Sequence, residues 1–162
     1  MKSTLSIDVT APPDLVFRLA RDVRRWPALL PHYRSATVER RDGDALVVRF
    51  VARRPLPGPL GLGLPVAWRS RTWAEPDLHR LRFRHQGGAT DGMDVTWTID
   101  PTADGAHVSI HHVYDAPGAW PAFVNRFFTR PIAGRTLATF KALAEAVHES
   151  TTGPPTNQSH EG

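Results

Sequence analysis

The 162-residue sequence contains no cysteine, which excludes a disulfide framework, a thiolate metal site and a cysteine nucleophile. It also lacks any apolar run near the roughly 20 residues that a membrane-spanning helix needs. Its first residues show no charged segment followed by an apolar one, so no export signal is predicted. We therefore expect a cytoplasmic protein that does not insert into membranes.

Lysine is scarce as well. Lys2 and Lys141 are the two lysines among 20 basic residues, so the formal charge of +4 is carried by arginines scattered along the predicted strands. No recognised nucleic-acid-binding motif accompanies them, so nucleic acid is a poor candidate partner. Two interpretations stay open: a solvated outer sheet face, or a docking surface for an acidic partner. The docking surface would comprise Arg21, Arg24, Arg25, Arg53 and Arg54.

The spacing of apolar residues predicts the order of elements. Alternation predicts a strand at 4–10, and helical spacing predicts a helix at 13–23 with a short helical turn at 26–30. Six further strands are predicted at 34–41, 45–53, 66–74, 79–85, 93–100 and 106–114. An apolar stripe from Trp120 to Glu149 predicts a long helix that Pro131 and Gly134 kink or break.

These elements supply one sheet, and a six-strand meander is too long to lie flat. The predicted fold is therefore α+β: a helix-grip fold in which a curved antiparallel sheet of about seven strands (β-α-α-β6-α) wraps round the C-terminal helix and leaves an internal cavity. The domain is predicted to cover residues 1–149, and residues 150–162 are predicted to be a disordered tail. The apolar stretch 55–65 is expected to be a long loop, of the length that often forms lids or binding loops.

Strand alternation also predicts which polar side chains face the cavity. Placing Phe83 inward brings His85 inward, and placing Ile110 inward does the same for His112 and Tyr114. His107 and His111 then point outward. Because the adjacent residues His111 and His112 point to opposite faces, they are poorly placed to bind one ion, and no metal is expected. No cofactor motif is present, so none is expected either.

Several short motifs follow the predicted order of elements: Ala11-Pro12, Leu15-Val16-Phe17, Asp22-Val23, Trp26-Pro27, Leu30, Tyr33 and Asp42-Gly43-Asp44. With that order they resemble the START-like superfamily, and within it the polyketide cyclase and aromatase branch of bacterial aromatic polyketide synthesis. The resemblance covers roughly residues 3–149. In that branch, the resemblance implies, a tryptophan, a serine and an arginine at alternate positions of one strand line the pocket. Trp68 and Ser70 match the first two, and Thr72 stands where the arginine is expected.

The implied reaction, aldol closure and dehydration of a poly-β-ketone, needs a base to remove a proton beside a ketone and an acid to release water. A histidine can serve either role, and hydroxyl groups can donate hydrogen bonds to an enolate oxygen. His112 is our first choice for the base, with Tyr114 or Tyr33 as the donor. The predicted catalytic set is His112, Tyr114, Tyr33 and Ser70; the predicted ligand-binding set is Trp26, Trp68, Thr72, His85, Met93, Trp97, Phe123 and Phe127.

Two functions stay open on this basis. The first is a polyketide cyclase or aromatase whose substrate is delivered by an acidic acyl carrier protein. The second is a non-catalytic carrier of a hydrophobic ligand such as a lipid or quinone. The absent arginine and the leucine-rich stretch 55–65 favour the carrier. The sequence is compatible with a monomer or a homodimer.

Overall fold

The computed structural model describes residues 1–55 and 63–152. Seven strands form one antiparallel sheet in the spatial order β1-β7-β6-β5-β4-β3-β2. Consecutive strands from β2 to β7 are therefore neighbours, and β1 closes the sheet beside β7. The strands are β1 (Lys2–Val9), β2 (Tyr33–Asp42), β3 (Ala45–Pro55), β4 (Gly63–Glu75), β5 (Arg80–His85), β6 (Asp94–Thr102) and β7 (Gly105–Val113).

Both ends of the predicted loop at 55–65 belong to strands instead. Strand β3 continues to Pro55 and β4 begins at Gly63, so both ends of that stretch pair in the sheet. Residues 56–62, on which the predicted role in ligand binding depends, lie outside the described residues.

Two short helices, α1 (Pro13–Arg21) and α2 (Trp26–Leu29), follow β1. Proline stands in the first turn of each, where its missing N–H costs no hydrogen bond. The chain ends in α3 (Trp120–Val124) and the long helix α4 (Arg130–Thr152). Part of the predicted tail is thus helical, and residues 153–162 lie outside the described part. None of the described helices is both long and apolar enough to cross a membrane.

A π-helical turn, Asn125–Thr129, separates α3 from α4. The sequence placed the irregularity at Pro131 and Gly134, whereas the structure places it in the turn just before them. Proline has no N–H to donate to the carbonyl four residues earlier, and its ring would collide with that carbonyl. A wider turn in front of Pro131 relieves both problems.

The core inside the curved sheet is centred on Trp26, which is 3% exposed. Its indole Nε1 donates a hydrogen bond of 2.9 Å to the carbonyl of Ala20 at the end of α1, so its polar atom is satisfied. Aromatic rings from the sheet and from α4 surround the indole at centroid distances of 5.2–6.0 Å: Tyr33, Phe50, Phe83, Trp97 and Phe140. Trp26 therefore joins the first helices, the sheet and α4.

Arginines on the outer face of the sheet pair with carboxylates of the neighbouring strands. Arg69 lies 2.5 Å from Glu39, and Arg71 lies 2.6 Å from Asp42. Trp73 is half-buried on this face because the guanidinium groups of Arg71 and Arg82 lie 5.0 and 5.7 Å from its ring. This arrangement supports the interpretation of a solvated outer face for these strand arginines.

Replacing the central indole should destabilise the fold strongly. We expect Trp26→Ala to lower the free energy of unfolding by about 3–5 kcal/mol, because it removes a buried aromatic side chain and leaves a void. Denaturant titration followed by circular dichroism measures the change. Trp73→Ala is the matched control and should cost only about 0.5–1 kcal/mol per lost arginine contact. Equal costs for the two variants would contradict the central role of Trp26.

Candidate functional site

A cavity of about 170 Å³ lies between the concave face of the sheet and the C-terminal helices. It slightly exceeds the void of about 150 Å³ that takes up benzene in an engineered protein core, so it has room for at least one aromatic ring. Its sheet side is lined largely by aromatic side chains: Tyr33, Phe50, Trp68, Phe83 and Trp97, with Trp26 from α2. Its helix side is lined by Val124, Phe128, Thr129, Ile132, Ala133 and Thr136.

The loop between β5 and β6 forms one end of the cavity, where the lining residues Gly87, Gly88 and Ala89 are exposed. The cavity therefore reaches the surface here. The carbonyl of Ala89 accepts hydrogen bonds from the Tyr114 hydroxyl at 2.8 Å and from Nε1 of Trp120 at 3.0 Å. These bonds tie the mouth loop to the start of α3.

Three parallel rings from adjacent strands line one wall. Phe50 and Trp68 are stacked with centroids 5.4 Å apart and planes 21° apart, and Trp68 and His85 are 6.2 Å and 19° apart. These stacked rings make one wall of the cavity continuously aromatic, which suits a ligand that is itself planar and conjugated.

Two histidines, His85 and His112, face this largely apolar space. Burial lowers the pKa of His85 to about 3, assisted by the nearby His112. Burial also lowers the pKa of His112 to about 4. Both imidazoles are therefore neutral at neutral pH, because desolvation disfavours their charged forms.

The hydrogen bonds of the two histidines leave atoms available to a ligand. Nδ1 of His85 is hydrogen-bonded to Oγ1 of Thr90 at 2.8 Å, which fixes the ring against the mouth loop. Nδ1 of His112 is buried without a partner among the described residues. A buried polar atom in this condition is costly and needs water or a ligand to satisfy it.

A second polar region lies on the other side of Trp68, whose ring centroid is 5.9 Å from that of Tyr33. Burial raises the pKa of Tyr33, so its hydroxyl stays protonated. Thr136 donates to the carbonyl of Ile132 at 2.8 Å, and its oxygen is 2.9 Å from Nε2 of His32. Because the threonine proton is already used, His32 must donate to it, which requires the Nε2–H form.

His32 and Thr136 were missed by the sequence-based predictions. His32 is 2% exposed, and burial together with the charge of Arg135 lowers its pKa to about 4. Thr136 could have been found, because it follows Ile132 and precedes Phe140 at four-residue spacing on the buried face of α4. No local pattern identifies His32, since its partner is 104 residues away.

The structure brings part of the predicted site together. Seven of the predicted residues line the cavity: Trp26, Tyr33, Trp68, His85, Met93, Trp97 and His112. His107 and His111 lie on the outer face as expected, hydrogen-bonded to Asp8 at 2.6 Å and to Thr4 at 3.0 Å. No group of three potential metal ligands occurs in the part of the chain that the structure describes.

The other predicted residues lie outside the cavity. Tyr114 donates its hydroxyl proton to Ala89, so it does not offer it to a ligand. Ser70 is fully buried and donates to the carbonyl of Arg71 at 3.3 Å, and Thr72 lines a separate hollow. Phe123 and Phe127 are exposed by 42% and 37%. Val124 and Phe128, which lie eight and four residues before the buried Ile132, face inward in their place.

Comparison with known proteins identifies the family to which the chain is similar. A family model described as "Polyketide cyclase / dehydrase and lipid transport" matches residues 1–147. The chain is 30% identical over 156 residues to the granaticin polyketide synthase bifunctional cyclase/dehydratase of Streptomyces violaceoruber, covering 91% of this chain and 45% of that protein. It is 31% identical over 100 residues to a putative polyketide cyclase of Streptomyces halstedii, covering 61% of this chain and 87% of that one. The chain thus spans about half the length of the granaticin relative.

Solved structures show the same fold. The Zhui aromatase/cyclase from Streptomyces sp. R1128 superposes with a TM-score of 0.77 at 17% identity, covering 95% of this chain and 99% of that one. The di-domain ARO/CYC BexL from the BE-7585A biosynthetic pathway superposes with a TM-score of 0.70 at 26% identity, covering 95% of this chain and 48% of that one. The predicted helix-grip fold is therefore confirmed.

The lowered pKa values of the buried histidines predict a loss of stability in acid. The ordinary histidine pKa is about 6.5, so below that pH the unfolded chain binds protons that the folded chain does not. The contribution of these histidines to the free energy of unfolding is then fully present above about pH 6.5. It is lost as the pH drops toward the pKa values near 4 of the folded protein. Between pH 7.5 and about pH 5, each of His32 and His112 should remove about 2 kcal/mol from the free energy of unfolding.

Denaturant titrations at the two pH values test this expectation. His112→Gln should lose its share of the pH dependence, because the glutamine does not titrate. His111→Gln on the outer face is the control and should keep the wild-type dependence. An unchanged pH dependence in His112→Gln would contradict the assignment.

Proposed function

Because this chain belongs to the polyketide cyclase/dehydrase and lipid transport family, we propose that it is a polyketide cyclase or aromatase. It binds a poly-β-ketone or aromatic polyketide intermediate in its cavity and promotes aldol cyclisation and dehydration. One observation carries the proposal: two neutral histidines face a cavity whose remaining wall is largely apolar and contains seven aromatic residues. This combination provides proton acceptors in a space from which most water is excluded.

The aromatic wall supports binding of the substrate and the product ring. A folded poly-β-ketone presents conjugated, nearly planar enol segments, which match the parallel rings of Phe50, Trp68 and His85. Burial of apolar surface, worth roughly 25 cal/mol per Å², supplies the binding free energy. Tyr33, protonated because burial raises its pKa, can donate a hydrogen bond to a ketone oxygen.

His112 is the proposed base. It takes a proton from the methylene carbon between two ketones, and that carbon forms a bond to the carbon of a third ketone in the same chain. The electron pair of the third carbonyl moves to its oxygen, which takes up a proton to become a hydroxyl group. Loss of a second proton from the neighbouring carbon then expels this hydroxyl as water and leaves a double bond.

The low pKa of His112 makes it a weak base in the empty cavity. As proton transfer proceeds, however, negative charge develops on the enolate beside the imidazolium. Two opposite charges in a poorly solvated space stabilise each other strongly, which offsets the cost of charging the ring. His85, held by Thr90 at 2.8 Å, is placed to shuttle the second proton.

The other predicted catalytic hydroxyls have supporting roles in this proposal. Tyr114 holds the mouth loop through Ala89, and Ser70 packs within the sheet. An acidic acyl carrier protein is the proposed source of the substrate. Beside the mouth, the exposed Phe123 and Phe127 lie 4.7 Å apart, and the guanidinium of Arg54 lies 5.5 Å from the Phe127 ring. This cationic and aromatic surface suits an acidic carrier with an apolar cargo.

Removing the proposed base should abolish turnover without abolishing binding. We expect His112→Gln to lower the rate of cyclised product formation by about 10²–10⁴-fold, the usual contribution of general acid–base catalysis. The substrate is a poly-β-ketone generated in the assay by a ketosynthase and a carrier protein, and products are quantified by liquid chromatography and mass spectrometry. His111→Gln is the control on the same strand and should retain the wild-type rate. Wild-type turnover by His112→Gln would refute the assigned base.

A carrier without catalysis is the second candidate. The observation in its favour is that the hydroxyls of Ser70 and Tyr114 are bonded to backbone carbonyls and Thr72 lies outside the cavity. The cavity then offers few polar groups for chemistry.

The identity of the ligand extracted from the purified protein distinguishes the two functions. Mass spectrometry should detect a polycyclic phenol or polyketide if the chain is a cyclase. A prenyl or acyl lipid, together with full retention of that lipid by His112→Gln, would instead establish the carrier.

A further inference from the structure

A second hollow of about 120 Å³ is lined by residues of α1, β3, β4 and β5, Trp73 among them. Thr72 and Leu81 line it from β4 and β5, while Arg21 and Asp44 contribute polar groups. Phe83 lines both this hollow and the main cavity. Phe83 is thus the lining residue that the two spaces share.

The order of residues along β4 shows how the two hollows are divided. Trp68, Ser70 and Thr72 point to the same face of the strand. Trp68 lines the main cavity, Thr72 lines the second hollow, and Ser70 between them is 0% exposed and lines neither. Along residues 68–72, the concave face therefore borders the main cavity at Trp68, is closely packed at Ser70 and borders the second hollow at Thr72.

Phe83 is the one residue of β5 that lines both spaces. It is the register partner of Thr72, and it is 6% exposed. Its ring lies 5.7 Å from that of Trp26 and 6.4 Å from that of Trp97, both of which line the main cavity. The phenyl ring thus stands between the main cavity and the space beside Thr72.

We propose that Phe83 is a specificity-determining residue that sets the depth of the ligand cavity and so selects ligands by length. This inference rests on the proposed binding of a planar polyketide. With Phe83 in place, a planar ligand stops at the ring and its far end remains among Trp26, Trp97 and Tyr33. Without the ring, the same ligand reaches Thr72 and the polar groups at Arg21 and Asp44.

A series of rigid phenols tests the proposal on the intact chain. The probes are 2-naphthol, 2-hydroxyanthracene and 2-hydroxytetracene, which present two, three and four fused rings. Dissociation constants are measured by quenching of tryptophan fluorescence and by calorimetry. The variants are Phe83→Ala, which removes the ring, and Phe83→Leu, which keeps most of the apolar volume and is better tolerated in a core. Phe17→Leu is the matched control, since Phe17 is 4% exposed and does not line either hollow.

The wild-type protein should prefer the two-ring probe. In Phe83→Ala the binding constant of the four-ring probe, relative to that of the two-ring probe, should rise by about ten-fold or more. Phe83→Leu should shift the ratio in the same direction, and Phe17→Leu should leave it unchanged. Should Phe83→Ala fail to fold, the comparison of Phe83→Leu with Phe17→Leu decides the matter.

Two kinds of failure are distinguishable. If the wild-type protein binds 2-naphthol but folded Phe83 variants keep the wild-type ratio of four-ring to two-ring affinity, the role of Phe83 in setting the cavity depth is refuted. The proposed function then stands. A change in Phe17→Leu as large as that in Phe83→Leu also refutes it, because general loosening of the core would then explain the result. If the wild-type protein binds none of the probes, both the role of Phe83 and the proposed binding of a planar small molecule are refuted.

Discussion

The position of the Trp26 indole is the constraint on which the rest of the structure depends. A curved sheet encloses more space than one helix can fill, so something bulky must close its narrow part. Trp26 does this from a short helix, with its polar atom bonded to Ala20 and its faces against rings of the sheet and of α4. The same side chain also forms part of the cavity wall, which makes the fold and the site inseparable at this point.

The electrostatic state of the site follows from this aromatic enclosure. Histidines placed among rings are poorly solvated, so they stay neutral at neutral pH and are able to accept a proton. This lowers the stability of the folded state, in which Nδ1 of His112 and Nδ1 of His32 find no hydrogen-bond partner within residues 1–55 and 63–152. Perturbed, unpaired groups of this kind are typical of functional sites, where stability is exchanged for reactivity.

Most of the sheet was predictable because strand alternation is a local property. It placed Trp68, His85, Trp97 and His112 on the correct face, and all four line the cavity. Strand alternation does not apply to Tyr114, because β7 ends at Val113. The Tyr114 hydroxyl instead donates a hydrogen bond to the carbonyl of Ala89.

Other features depend on contacts that the local pattern does not contain. Ser70 and Thr72 were assigned to the correct face, but Ser70 is fully buried and Thr72 lines the second hollow instead of the main cavity. The inward face of the last helices was mistaken by one residue: Phe123 and Phe127 were chosen, whereas Val124 and Phe128, at four-residue steps before Ile132, line the cavity. His32 is found only when the fold brings it to Thr136.

The π turn gives this architecture a route to diversification that leaves the sheet untouched. Each residue of an α-helix advances the side-chain direction by roughly 100°, so adding or deleting one residue between Val124 and Arg130 rotates one helix against the other. A single codon insertion or deletion there exchanges the side chains that α3 presents to the interior for their neighbours, while the seven strands and their pairing stay as they are. A change of length in this segment would therefore alter the interior of this domain without altering its sheet.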